Sequence, residues 1–230
     1  MPQFFRTLGF ATLVAVLAGC ELAQMSGHQA TPTPTPADAI ERKTSEPYTG
    51  DLSIFEDAER AANLQIDRVM DLLKISEGKV VADIGAGSGW FSVRAARRVG
   101  SKGKVFAIEI NQEYVDHING RAKSETLPQI SATLATTDDP QLKKAFVDAV
   151  LILKTYHEMA QPIRYLKNLK PGLKKGGLVG IIDRNGDGDD HGIARETVIE
   201  EAKRAGFVLK DEHDFVKGDG MDYFLIFAVG

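Results

Sequence analysis

Apolar runs alternating with amphipathic stretches from residue 79 onward predict an α/β protein, built on an open, mostly parallel sheet with helices on both faces. Three observations carry this expectation. Val147–Lys154 is an apolar run of the kind that suits a parallel strand buried on both faces. Between such runs, apolar residues recur at helical spacing. The glycines and carboxylates that punctuate the chain fall where runs end, and open parallel sheets bind ligands beyond the carboxyl ends of their strands.

Phe55–Leu73 carries Ile66, Val69, Met70 and Leu73 on one helical stripe and runs into Ile75-Ser-Glu-Gly78 as a stop. Lys79–Ile84 is the first predicted strand and Phe91–Val99 its helix. Val105–Glu109 and Gln112–Ser124 repeat the pair, and Ser131–Ala135 is a short third strand. The fourth strand, Val147–Lys154, precedes a helix over Ile163–Leu169, with Pro171-Gly172 after it. Leu178–Asp183 is the fifth strand, Thr197–Ala205 a helix ended by Gly206, and Phe207–Asp214 and Tyr223–Val229 close as a strand pair.

The 230 residues allow one domain with a substantial core, and a formal net charge of -4 with interspersed signs gives no nucleic-acid footprint. Arg94, Arg97 and Arg98 cluster, but the solvated face of a short helix accounts for them.

The N-terminus reads differently. Arg6 precedes the apolar stretch Leu8–Leu17, too short for a typical spanning helix and suited to a secretory signal. Leu17-Ala18-Gly19-Cys20 resembles the lipobox of bacterial lipoproteins, which implies lipidation of Cys20, the chain's single cysteine. An ordinary signal peptide with a chance cysteine is the alternative. The Thr-Pro repeat of residues 31–36 forms neither helix nor sheet, because each proline removes a donor. As a polyproline-like tether, residues 21–47 would span about 80 Å at about 3.1 Å per residue. The expected organisation is a signal peptide over 1–19, a lipidated cysteine and tether over 20–47, and a globular domain over 48–230. That domain would be exported and held at an envelope membrane, on the periplasmic side, with inner or outer membrane left open by Glu21.

The most informative segment is Asp83-Ile-Gly85-Ala86-Gly87-Ser-Gly89, a strand end followed by three alternate glycines and a helix start. Glycines let the backbone turn sharply and admit a ligand, and the amides of the next helix then face it. A nucleotide-like cofactor is the natural occupant. A dinucleotide fingerprint needs GxGxxG, whereas this chain has GxGxG with Trp90 and Phe91 following. Asp83 disfavours a pyrophosphate and suits a cationic group such as an amino acid's ammonium. The segment resembles the first motif of class I S-adenosylmethionine-dependent methyltransferases. The resemblance runs from about Phe55 to the C-terminus and implies a Rossmann-like seven-stranded sheet with an antiparallel final strand, and S-adenosylmethionine as cofactor. Asp83, Gly85, Ala86, Gly87 and Gly89 are the matching positions.

Glu109 ends the second strand 24 positions after Gly85, where a carboxylate suits a ribose diol; the resembled family holds its ribose acid there. The alternative is a solvated cap of the next helix. Asp138, in Thr136-Thr-Asp-Asp-Pro140, matches a position often set against the adenine amino group, though Asp-Asp-Pro is also good turn chemistry. The fourth strand leads into Tyr156-His157-Glu158, a triplet resembling one found in a subset of these enzymes. His157 is a candidate general base or a structural hydrogen-bonder, and Glu158 orients it or caps a helix. The loop from Asp183 to Asp190 matches the first half of a calcium loop, but Ala194 stands where a bidentate glutamate belongs. His191 is a weaker candidate for substrate contact. Histidine spacing shows no zinc pair, and no metal is expected.

The resemblance therefore implies methyl transfer to a small-molecule or protein acceptor that no residue names. A non-catalytic module binding adenosyl compounds or a partner is the alternative, while GxGxG spacing and Asp83 disfavour a nicotinamide oxidoreductase.

Overall fold

The computed structural model describes residues 38–40, 42–187, 191–217 and 220–230. Cys20, the signal-like leader and the Thr-Pro repeat lie outside them, as do residues 188–190 of the acidic loop. Seven strands, β1 (Val80–Ile84), β2 (Lys104–Glu109), β3 (Ile130–Leu134), β4 (Val147–Leu153), β5 (Leu173–Arg184), β6 (Phe207–His213) and β7 (Asp222–Val229), form one sheet. Their order is β3-β2-β1-β4-β5-β7-β6. The first five pair in parallel, and β7 is antiparallel to both β5 and β6. This is the Rossmann-like class I methyltransferase sandwich that the glycine motif implied. The helices are α1 (Arg60–Asn63), α2 (Ile66–Leu72), α3 (Trp90–Val99), α4 (Gln112–Ser124), α5 (Pro162–Leu169) and α6 (Arg195–Arg204).

The apolar runs are continuous because both faces of the sheet are buried. Val81, Ala149 and Leu151 enter one core layer with Val69 and Met70 of α2, Trp90 and Phe91 of α3 and Ile118 of α4. Their neighbours Ala82, Ile84, Val150 and Ile152 enter a second layer with Ile163 and Leu166 of α5 and Val198 and Ala202 of α6. Local chemistry sets the helix ends. Asn111 caps α4 by accepting from the Glu113 amide at 2.8 Å, with Arg121 and Lys123 in the last turn, and Pro162 opens α5 where no donor is needed.

Two expected elements differ. The helix foreseen over Phe55–Leu73 is broken into a 3-10 turn at Leu52–Phe55 and the short α1 and α2. Gln65 breaks it with φ of 45°, and its side-chain amide donates to the Phe215 carbonyl at 3.1 Å. The periodicity was real for α2, but Phe55 lies over the glycine loop instead of along the same helix. Strand β5 begins at Leu173 rather than Leu178, because its register against β4 shifts between Val147 and Ala149 and carries the strand past Gly176 and Gly177.

Residues 42–50, which straddle the expected domain start at residue 48, lie against the sheet's carboxyl end. Arg42 pairs with the buried Glu201 at 2.9 Å, the Ser45 amide donates to the His157 carbonyl at 3.3 Å, and Tyr114 donates to the Gly50 carbonyl at 2.9 Å. Among the described residues no helix is long and apolar enough to cross a membrane.

Candidate functional site

The glycine segment is a turn from β1 into α3, tied to the end of β2. The Gly85 and Ala86 amides both donate to the Ile108 carbonyl, at 2.9 and 3.3 Å, and the Gly87 amide donates to Glu109 Oε1 at 2.7 Å. At Gly85 φ is +66°, and a Cβ would lie 2.4 Å from Thr155 Oγ1 and Cγ2. Backbone conformation and space therefore both require glycine there. Gly89 sits at the N-cap of α3, and Trp90 and Phe91 behind it are buried.

Two carboxyls flank this turn. Asp83, at the end of β1, is 2% exposed and accepts a 2.6 Å hydrogen bond from Ser92 Oγ. Burial pushes its carboxyl up to about 7; the nearby Glu109 charge acts in the same sense, while Ser92 and the Arg60 guanidinium oppose it. Arg60 is itself held in place: its guanidinium sits over the Trp90 ring at 4.5 Å and donates to the Phe55 carbonyl at 2.8 Å. Glu109 closes β2 with Oε2 accepting from the Ile110 amide at 2.9 Å. Its burial raises the carboxyl above the ordinary range, with the Gly87 and Ile110 amides opposing.

Beyond β4 the chain makes one 3-10 turn, Tyr156–Glu158. His157 is buried and clamped by Asp183 at the end of β5. Asp183 Oδ1 lies 2.8 Å from His157 Nδ1, Oδ2 accepts from the His157 amide at 3.1 Å, and Oδ1 also accepts from the Arg184 amide at 2.9 Å. With Asp183 accepting from Nδ1, the neutral ring carries its lone pair on Nε2. Glu158 Oε1 lies 3.9 Å from that Nε2, and burial pushes the Glu158 carboxyl up to about 7 despite the opposing influence of His157. The His191 ring stands nearly perpendicular to that of His157, with centroids 5.8 Å apart.

Asp83, Gly85, Ala86, Gly87, Glu109, His157, Glu158 and His191 thus line one cleft of about 1030 Å³. Asp138 is not brought to it. Its carboxylate accepts from Thr136 Oγ1 at 2.8 Å and pairs with Arg164 at 3.0 Å, while Thr136 and Thr137 take the cleft wall at that point. The turn chemistry of Asp-Asp-Pro decides its place. The calcium-loop pattern loses its first position for the same kind of reason, since Asp183 is fully buried on His157. Sequence reasoning did not find Asp183, Arg60 or the wall formed by Thr44–Thr49. For Asp183 there was a signal, a carboxylate ending a buried strand next to the one that carries His157.

Residues 81–177, which carry Asp83, the glycine turn, Glu109, His157 and Glu158, match the family model described as a methyltransferase domain. The 23S rRNA (uracil(1939)-C(5))-methyltransferase of Acinetobacter baumannii is 39% identical over 61 residues, 26% of this chain and 13% of that one. A protein-lysine N-methyltransferase of Saccharolobus islandicus is 26% identical over 110 residues, 47% of this chain and 67% of that one. Among solved structures, a SAM-dependent methyltransferase from Aquifex aeolicus superposes with a TM-score of 0.71 at 22% identity, covering 79% of this chain and all of that one.

Proposed function

We propose that this chain is an S-adenosylmethionine-dependent methyltransferase acting on a small molecule or a protein group that enters beside His157. The observation that carries the reading is the convergence of Gly85–Gly87 of the turn, Asp83 and Glu109 on the cleft that also holds His157, with Gly89 set back at the start of α3. The residues fit the donor. Gly85 leaves room that a Cβ would fill, Asp83 offers a carboxylate to an ammonium, and the Arg60 guanidinium beside it suits a carboxylate. Each Glu109 oxygen spends one lone pair on a backbone amide and keeps another for a ribose hydroxyl.

S-adenosylmethionine, when bound, supplies a methyl group on a sulfonium, which departs as a neutral thioether when the acceptor's lone pair takes the methyl carbon in line. The chain's own task is alignment. If the acceptor atom carries a proton, His157 Nε2 is the lone pair that receives it, and Asp183 stabilises the resulting imidazolium through Nδ1. The net charge of -4 supports an acceptor other than the RNA named for the Acinetobacter relative.

Calorimetry with S-adenosylmethionine and S-adenosylhomocysteine tests the reading. Micromolar binding that weakens in Asp83→Ala is expected; no binding at millimolar ligand would overturn it. The reading extends to an exported protein lipid-anchored through Cys20 on the periplasmic side of an envelope membrane, supported by the Leu17-Ala18-Gly19-Cys20 match and the Thr-Pro tether. Cys20→Ala should move the protein from the membrane to the soluble fraction; an unchanged distribution would reject the anchor.

A further inference from the structure

We infer that His157, Glu158 and His191 form a binding site for a divalent transition-metal ion, with the donor set of a catalytic zinc centre. One ligand atom from each lies within 4.8 Å of the other two. The site goes beyond methyl-donor recognition, since none of the residues assigned to that donor takes part in it.

Three features separate the cluster from a chance gathering of polar groups. The first is the orientation of His157. Asp183, fully buried, holds Nδ1 at 2.8 Å and the same residue's amide at 3.1 Å, so Nε2 presents its lone pair toward Glu158 and the cleft. A carboxylate on the far ring nitrogen is the usual outer support of a metal-bound histidine, because it fixes the tautomer and raises the basicity of the ligating nitrogen. The second is spacing. His157 Nε2 and Glu158 Oε1 lie 3.9 Å apart, too far for a hydrogen bond between them. Metal bonds of about 2.0–2.2 Å set tetrahedral donors about 3.3 Å apart. That pair has to close by about 0.6 Å, and the exposed His191, within 4.8 Å of both, has to move toward it, while His157 is held by Asp183. The third is composition: two imidazoles and one carboxylate are three ligands, which leaves a fourth position open for water or substrate.

Sequence spacing hid the cluster, because His157 and His191 are 34 positions apart and follow different strands. With a metal on Nε2, His157 is a ligand and no longer a base. Resting on the methyltransferase reading, an acceptor hydroxyl or thiol in the open position would release its proton to solvent and remain bound as the anion.

The test is a titration of the metal-stripped full chain with zinc chloride by calorimetry, and with cobalt(II) by visible absorption. One zinc per chain is expected, with the strong visible bands of tetrahedral cobalt. His191→Ala removes an exposed side chain, so loss of fold does not confuse its result. It should lose at least tenfold in zinc affinity, and Glu158→Gln likewise. Asp183→Asn should lose about 10–100-fold, as an outer partner of a ligand does. The inference is overturned if no stoichiometric binding occurs, or if binding survives His191→Ala and is lost in His213→Ala, which would put the ion at the His213–Asp211 pair. S-adenosylmethionine binding to His191→Ala is measured alongside: retained donor binding with lost metal binding supports the site. Absent metal binding with retained donor binding rejects the site and leaves the methyltransferase reading standing.

Discussion

Replacing Asp83 with Asn should stabilise the ligand-free protein at alkaline pH while weakening its hold on a cationic ligand. In the native state the carboxyl keeps its proton up to about pH 7, whereas the unfolded chain releases it near 3.8. Between those values the native state binds more protons than the unfolded one, so stability falls as pH rises, the reverse of the usual carboxylate. A displacement from 3.8 to about 7 corresponds to an upper bound of about 4 kcal/mol once the group is ionised. Relaxation around the charge lowers this to about 1–3 kcal/mol. Asparagine keeps the volume and its oxygen still accepts from Ser92, but it carries no charge to bury. Urea unfolding at pH 5 and pH 8.5 makes the measurement. Asp83→Asn should exceed the wild type by about 1–3 kcal/mol at pH 8.5 and by only about a third as much at pH 5, where the unfolded carboxyl has ionised and the native one has not. Glu158, also raised to about 7, slopes both proteins alike and cancels in the comparison. A variant that is less stable at pH 8.5, or that differs by the same amount at both pH values, would refute the reasoning.

Three further outcomes follow from the same geometry. An ammonium set against Asp83 favours its ionised form, so S-adenosylmethionine binding near pH 7 should release a proton, seen as a buffer-dependent calorimetric heat that disappears by pH 8.5. Gly85→Ala combines a left-handed backbone with a Cβ 2.4 Å from Thr155 and should cost about 2–5 kcal/mol in urea unfolding. Gly78→Ala, at φ +79° with nothing within 4 Å, should cost only about 1–2, and equal costs would remove the crowding argument. Asp183→Asn leaves a backbone amide of His157 or Arg184 facing an NH₂, for a loss of about 1–3 kcal/mol or about 2–12 °C in Tm. Its His157 ring nitrogens should show mixed tautomers by ¹⁵N NMR, and unchanged shifts would contradict the clamp.

The strand-turn-helix around Gly85 and the carboxylate at Glu109 were legible because their chemistry is local: an apolar run, a stop, and a polar residue at the stop. The two-sided core was legible for the same reason, through runs such as Val147–Leu153. What could not be read depends on contacts distant in sequence. Gln65 takes a left-handed conformation while its amide reaches Phe215, 150 positions away, and no periodicity announces that. Asp138 was open to either a binding or a turn reading, and its own turn and Arg164 claim it. His157 was found through its strand end, whereas its partner Asp183 first looked like part of a cation loop, since register between β4 and β5 alone brings the two together.

The Ser45–His157 backbone bond has a practical corollary for anyone trimming this protein. A chain cut at residue 48 would keep all seven strands, and by circular dichroism it would pass as folded, although Ile40 would be gone from the second core layer and the buried Glu201 would have lost its cation. It would nonetheless have lost Thr44–Pro47 from one wall of the cleft, together with the Arg42–Glu201 pair that fixes that wall to α6. The first strand and the first wall of the binding cleft lie far apart in sequence, and an inactive trimmed protein would say nothing about the intact one.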